Sequence, residues 1–346
     1  MKKIGYLFFG VWIRTALTCY FSKIKVDGLH HVPSGKPLMF LANHQNALLD
    51  ALLIATHCNR KPYFLTRSDV FKTSILKMLF EFLRMIPVYR IRDGKDSLKG
   101  NTAIFERCSS LLLEGEAILI FPEGNHSLQR RVRPLSKGFT RILFLALENN
   151  PSMEIGIIPI GVNYASAAHF PDKAALYYGR EIIVQDFFDK DDLSGSTNRL
   201  KQEVYHQLKK LTAHIEVQAN YDSIAQKLDN SDVDYLDPKA VNLVLEKEEI
   251  IIIPKSNGKA SIIKYLFKGL FIVLNFPMII LWSMFIRPKV KELEFLSTTR
   301  FMFVLLFYPF QILFIGLGAF MLYNGQMVLA ICLLHLILNV VLVKLQ

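Results

Sequence analysis

From about residue 264 the chain changes character. Residues 264–346 hold three long apolar runs, Gly269–Ile286, Phe301–Tyr323 and Met327–Val343. At the rise of an α-helix each is long enough to span, or nearly span, a hydrocarbon layer ~30 Å thick. Asn324-Gly325 is a tight-turn pair between the last two, which are therefore expected to form a hairpin. The first run contains Asn275 and Pro277, and basic residues flank both its ends: Lys264 and Lys268 before it, Arg287, Lys289, Lys291 and Arg300 after it. Positive charge collects on the cytosolic side of membrane segments. Two cytosolic flanks conflict with three simple crossings, so two or three hydrophobic helices are expected and the number of crossings stays open.

The N-terminus is apolar too. Ile4, Leu7, Phe8, Val11 and Trp12 fall on one face of a helix beside Lys2, Lys3 and Arg14. Arg14 interrupts the run and no small-x-small cleavage site follows, so residues 1–27 read as a retained amphipathic membrane anchor rather than a secretory signal. These segments account for a hydrophobic share of 51%; 41 Lys and Arg against 30 Asp and Glu leave a net charge of +11. That balance suits an anionic partner, and the apolar segments select an anionic lipid membrane. No Cys/His finger spacing or aromatic RNA-binding stretch appears, so no nucleic acid is expected. Cys19, Cys58, Cys108 and Cys332 share no metal-ligand spacing and are expected to be reduced. The reading is an integral or tightly bound membrane protein with its active domain on the cytosolic face.

Between these ends, short apolar runs alternate with helical periodicity. Strands are expected at Leu38–Ala42, Tyr63–Thr66, Ile86–Tyr89, Ala117–Phe121, Ile155–Asn163 and Leu176–Val184, and helices at 47–57, 68–83, 97–113 and 137–148. The alternation predicts an α/β domain with strands buried under helices. A further helix shows Leu200, Val204, Leu208, Leu211 and Ile215 on one face. The expected division is 28–220 for this domain, 221–263 for a helical or irregular extension, and 264–346 for the membrane region.

Three motifs in the α/β domain carry chemistry. Asn43-His44-Gln45-Asn46-Ala47-Leu48-Leu49-Asp50 follows the apolar stretch PLMFLA. On one continuous helix, residues six apart lie roughly 240° around the axis and about 9 Å along it, out of contact. They can meet if His44 ends a strand and Asp50 enters the next helix; the carboxylate then fixes the imidazole tautomer and leaves the other nitrogen as a general base. Ile118–Ser127 ends a strand in Phe121-Pro122-Glu123-Gly124, placing a carboxylate at the strand edge where α/β sheets bind ligands. Glu123 can bind an acceptor hydroxyl or brace a basic residue. In IPVYRIRD, Arg90 and Arg92 leave a strand and suit bidentate phosphate recognition. Lys137, after the basic loop of Arg130, Arg131 and Arg133, adds charge near a helix N-terminus.

The ordered set NHQNALLD, IPVYR, FPEG and IIPIG resembles the four-block pattern of the glycerolipid acyltransferases, the PlsC-type lysophosphatidate and glycerol-3-phosphate acyltransferases, over residues 28–185. The resemblance implies a mixed sheet flanked by helices, with His44 as general base and Asp50 as its orienting partner. It implies acceptor binding by Arg90 and Glu123, and Arg92, Phe121, Gly124, Lys137 and Pro159 join them as substrate-binding candidates. No cofactor is implied; acyl-CoA or acyl-carrier protein is the donor co-substrate. The expected reaction acylates 1-acyl-sn-glycerol-3-phosphate in phospholipid biosynthesis. Glycerol-3-phosphate or dihydroxyacetone phosphate is the alternative acceptor, and a lipid-binding scaffold the non-enzyme alternative. Two departures stand out. Five residues separate His44 and Asp50 where most members have four, a spacing shared with a glycerol-3-phosphate/dihydroxyacetone-phosphate subset. Asn125-His126-Ser127 stands where Thr-Arg-Ser is usual, a lost arginine for which Arg130 or Arg131 is expected to compensate.

Overall fold

The computed structural model describes residues 2–68, 74–89, 95–216, 219–231, 233–247 and 260–346. Its elements begin with α1 (Lys2–Tyr20), β1 (Lys23–Asp27), β2 (Leu38–Ala42), α2 (Ala47–His57), β3 (Tyr63–Arg67), α3 (Ser74–Phe82), β4 (Met85–Val88) and α4 (Lys95–Leu113). They continue with β5 (Ala117–Ile120), α5 (Gly138–Asn149), β6 (Gly156–Tyr164), β7 (Lys173–Tyr178), β8 (Ile182–Ile183), α6 (Leu193–Leu211), α7 (Tyr221–Asp229) and α8 (Pro238–Glu246). The apolar C-terminal part forms α9 (Ala260–Leu281), α10 (Leu296–Phe320) and α11 (Gly325–Lys344).

Among the described residues the sheet runs β1-β7-β6-β2-β5-β3-β4, with β8 also on β6. Strands β6, β2, β5, β3 and β4 are mutually parallel, while β7 and β8 run antiparallel to β6. The sheet is mixed, as expected. Its centre is buried on both faces, which is why β2, β5 and β6 read as unbroken apolar runs rather than alternations. Successive residues of β2 nonetheless serve different layers. Met39 and Leu41 join Ile142, Leu143, Leu200 and Val204 beneath α5 and α6. Leu38 and Phe40 join Ile13, Leu17, Leu49, Leu53 and Phe301 beneath α1, α2 and the start of α10.

The expected strand over 176–184 is two strands, and Pro159 explains the break. Gly179 N–H donates to the Pro159 carbonyl at 2.8 Å, so this edge of β6 faces the gap between β7 and β8. Proline offers no N–H for a ladder bond there. A Cβ on Gly179 would lie 2.8 Å from the Pro159 ring, so the gap also needs glycine. Strand β1 escapes the hydrophobic pattern: it is an edge strand whose residues alternate between exposed and half-buried.

The region after 220 acquires a structural role. Helices α7 and α8 close a small core of Ala213, Ile215, Leu228, Tyr235 and Val241. Arg130 is its post: the guanidinium stacks 3.4 Å from the Tyr235 ring centroid and donates to the Tyr164 and Ala165 carbonyls at 2.8 Å each. The Ile250–Pro254 run lies outside the described residues.

In the C-terminal part, three helices are long and apolar enough to cross a membrane. Helix α1 presents the anticipated stripe, with Ile4, Leu7, Phe8, Val11 and Trp12 exposed while Ile13 and Leu17 are buried. Helix α10 starts on the α/β domain, where Ser297 donates to the Ala167 carbonyl at 2.6 Å. Helix α11 returns to it, where Lys344 donates to the Thr18 and Phe21 carbonyls at 2.6 and 2.7 Å. Helix α9 bends at Asn275, whose φ/ψ of −119°/17° is not helical, two residues before Pro277. The bend frees the Leu274 carbonyl, which accepts from Gln311 at 3.1 Å and lies 3.2 Å from His335 Nε2. Asn275 also donates to Asn339, so buried polar groups tie all three helices together.

Candidate active site

The NHQNALLD segment folds as a strand end, a short loop and a helix start. Asn43 pins the loop by exchanging two hydrogen bonds with Val162 of β6, at 2.7 and 2.9 Å. Asn46 donates to the Ala167 carbonyl at 2.9 Å. Helix α2 then opens at Ala47, whose φ of 40° is left-handed and strained for a residue with a Cβ. This turn lets a six-residue interval close.

Asp50, in the first turn of α2, is 0% exposed. Its Oδ2 lies 2.8 Å from His44 Nδ1 and accepts the backbone N–H groups of Gln45 and Asn46, each at 2.8 Å. The carboxylate thus reaches back over its own helix N-terminus, where the helix dipole favours negative charge. Oδ1 accepts from the Tyr164 hydroxyl at 2.6 Å. Burial and the neighbouring Asp50 charge raise the Tyr164 pKa well above its ordinary value, so the phenol stays a donor. With Nδ1 held by a carboxylate, His44 presents Nε2 as its basic nitrogen. Phe121 stacks on the imidazole, ring centroids 4.0 Å apart and planes 12° from parallel, fixing the ring's plane.

The Phe-Pro-Glu-Gly turn sits beside it at the same sheet edge. Gly124 adopts φ 77° and its N–H donates to the Phe121 carbonyl at 3.1 Å. The Glu123 side chain is 1% exposed and holds Arg133, whose Nε donates to Oε2 at 2.9 Å and whose Nη2 pairs with the same oxygen. Arg133 also bonds Asn125 and comes within 3.5 Å of the His44 carbonyl. Burial raises the Glu123 pKa, and the Arg133 charge opposes that rise. The arginine paired with Glu123 is therefore Arg133, which corrects the expectation of Arg130 or Arg131. Arg130 is committed to Tyr235 and two carbonyls, and among the described residues the ion pair to Glu123 comes from Arg133.

The structure thus brings together His44, Asp50, Phe121, Glu123 and Gly124. Lys137 is exposed, and the Ser136 N–H bond to the Pro122 carbonyl (2.7 Å) sets it beside the Pro-Glu-Gly turn. Pro159 is buried inside β6 opposite Leu41, three residues before His44, and supports the sheet rather than facing the site. Arg90 and Arg92 lie outside the described residues. Strand β4 ends at the same edge, held where Tyr89 N–H donates to Asn101 at 3.0 Å and Asn101 returns a bond of 2.8 Å.

Several contributors escape motif reading because they come from distant sequence: Tyr164, Arg133 and a stretch before and within α10. His126 stands edge-on to His44, centroids 5.6 Å apart, and Phe295 packs on His126 at 4.5 Å. Burial, then the His44 charge, lowers the His126 pKa. The Thr298 hydroxyl donates to the Asn46 carbonyl at 3.1 Å and accepts the Leu49 N–H at 3.3 Å. The membrane region therefore braces the loop that carries the histidine.

The family model described as Acyltransferase matches residues 23–163. Over 121 residues the chain is 30% identical to a chloroplastic 1-acyl-sn-glycerol-3-phosphate acyltransferase of Arabidopsis thaliana, covering 34% of this chain and 32% of that protein. It is 25% identical over 115 residues to glycerol-3-phosphate O-acyltransferase 2 of Saccharomyces cerevisiae, covering 32% of this chain and 16% of that one. The matched part is thus about a third or less of each relative's length. The crystal structure of the 1-acyl-sn-glycerophosphate acyltransferase PlsC from Thermotoga maritima aligns with a TM-score of 0.42 at 18% identity, over 59% of this chain and 80% of that one. Residues 23–163 thus match the Acyltransferase family, and the chain is similar in part to glycerolipid acyltransferases.

Proposed function

We propose that the chain transfers a fatty acyl group from an acyl thioester to the free hydroxyl of 1-acyl-sn-glycerol-3-phosphate at a membrane surface. The observation that carries this reading is the clamped His44. Its Nδ1 is held by a buried carboxylate that four donors engage, which leaves Nε2 to take a proton from an acceptor hydroxyl. The hydroxyl oxygen attacks the thioester carbonyl, the tetrahedral intermediate collapses with loss of thiolate, and the His44 imidazolium returns the proton to the sulfur. The products are the ester and free CoA or acyl-carrier protein thiol. Asp50 stabilises the transient imidazolium, and Phe121 keeps the ring in plane. Glu123 holds Arg133 beside the site, and Arg90 and Arg92 are assigned to the acceptor phosphate.

The membrane region supports an interfacial location. Residues 301–343 contain no Asp, Glu, Lys or Arg, and α11 is about 30 Å long, matching the hydrocarbon layer. We infer that α10 and α11 cross as a hairpin while bent α9 returns to the side it left. Lys264, near its start, lines a cavity with Ser22 and Lys23 of the α/β domain, and the segment after it carries Phe295 onto His126. This arrangement puts both basic flanks on one side, which the positive-inside rule assigns to the cytosol.

The test is an acceptor panel with the purified full chain and acyl-CoA. Acylation of 1-acylglycerol-3-phosphate at least tenfold faster than of glycerol-3-phosphate is expected. The opposite ranking would move the assignment to the glycerol-3-phosphate type, which the five-residue His–Asp spacing favours. Transfer to neither acceptor would reject the enzyme reading.

A further inference from the structure

Where α9 begins and α11 ends, four lysines surround one open cavity of about 380 Å³. Lys23 starts β1, Lys173 starts β7, Lys264 lies in the opening turns of α9 and Lys344 ends α11; Ser22 and Gln346 complete the polar lining. No Asp or Glu side chain lines it among the described residues. Lys23 and Lys173 stand directly opposite each other in the β1–β7 register. Like charges held so repel, and an anion between them removes the cost. Neither they nor Lys264 make an ion pair among the described residues. Lys344 spends two of its three N–H donors on the Thr18 and Phe21 carbonyls and retains one. The cavity contains none of the residues around His44.

Its place in the fold identifies the anion. Two apolar helices end at its rim, so it lies at the depth of lipid headgroups, where basic pockets between membrane helices hold lipid phosphates. We propose that this cavity binds the phosphodiester headgroup of an anionic membrane phospholipid, a bound lipid separate from the reacting one. Its phosphate bridges β1 and β7 of the acyltransferase domain to α9 and α11, and so seats the catalytic edge on the membrane.

The experiment uses the full chain in a neutral detergent, titrated with phosphatidylglycerol and with phosphatidylcholine of the same acyl chains, bound lipid being counted by native mass spectrometry. Phosphatidylglycerol is neither substrate nor product of the proposed transfer, so this result and the acyl-transfer reading fail separately. Each lysine is expected to contribute about fivefold, so Lys23→Gln/Lys173→Gln/Lys264→Gln weakens phosphatidylglycerol binding on the order of a hundredfold. Phosphatidylcholine binding should not change, and Arg at the same three positions should retain the preference. The single variants Lys23→Gln and Lys173→Gln, both at exposed positions, report the same trend if the triple variant does not fold. Unchanged phosphatidylglycerol affinity in these variants, or equal affinity for the two lipids, overturns the proposal. Displacement of the lipid by millimolar inorganic phosphate also overturns it, in favour of a soluble-phosphate site.

Discussion

Replacing Tyr164 with Phe removes one oxygen from the deepest part of the site. That hydroxyl donates to Asp50 Oδ1 at 2.6 Å, with both residues 0% exposed. The three other donors to Asp50 all converge on Oδ2. Water cannot reach the vacated oxygen without repacking. A hydrogen bond to a charged group contributes about 1.5–3 kcal/mol, and a buried acceptor left unpaired costs a similar amount. A loss of about 2 kcal/mol should lower the thermal midpoint by roughly 4–8 °C for a domain of this size. The same oxygen helps to set the carboxylate plane that aims His44. If that energy is also missing when His44 becomes positive, kcat falls by up to about thirtyfold. KM for the acceptor should stay within about twofold, because Tyr164 is not placed against substrate. Differential scanning fluorimetry at fixed scan rate and initial-rate acyl transfer measure the two effects. In combination with Asp50→Asn the two losses should be far from additive. A Tyr164→Phe protein with wild-type midpoint and wild-type kcat would refute the four-donor account of Asp50.

Arg133→Ala should destabilise by about 3–5 kcal/mol, because it strands the buried Glu123 carboxylate, and Glu123→Gln in the same chain should restore part of the loss; chemical denaturation with both variants decides this. Two buried groups give stability opposing pH slopes. His214, whose Nδ1 accepts the Val132 N–H at 2.9 Å, is pushed down to about 4 by burial, so the unfolded chain takes up its proton first and stability falls as pH drops from 6.5 towards 4. Asp172 is pushed up to about 6 by burial, so the folded chain holds a proton that the unfolded one has lost, and stability falls as pH rises from about 4 to 6. Asp172→Asn should therefore lose more midpoint between pH 6.5 and 4.5 than wild type does, and parallel profiles would contradict the assignment. Arg130→Met should loosen α7 and α8 from Tyr164, seen as faster limited proteolysis in 219–247 without a change in the His44–Asp50 contact.

Much of this was legible because the central strands are buried on both faces. Leu38–Ala42 and 47–57 read as apolar blocks with ends at β2 and α2. The His44–Asp50 contact was also legible, since the helix period excluded a same-helix pair and left only a strand–helix junction. Tyr164 was not, because a tyrosine ending a strand carries no local sign of a carboxylate 114 positions earlier. Arg133 shares its loop with Arg130 and Arg131, the two that the sequence favours, and only the fold shows that Arg130 is spent on Tyr235. Strand β1 hid its edge position behind alternating lysines. The basic flanks of α9 announced a topological conflict, and the bend at Asn275 offers its resolution.

The most direct test of the central claim is acyl transfer from acyl-CoA to 1-acylglycerol-3-phosphate by the purified full chain, wild type against His44→Ala. With the general base gone, the rate should fall by at least about a hundredfold while the thermal midpoint and membrane partition stay at wild-type values. A His44→Ala protein that acylates the acceptor at near wild-type rate would contradict the account.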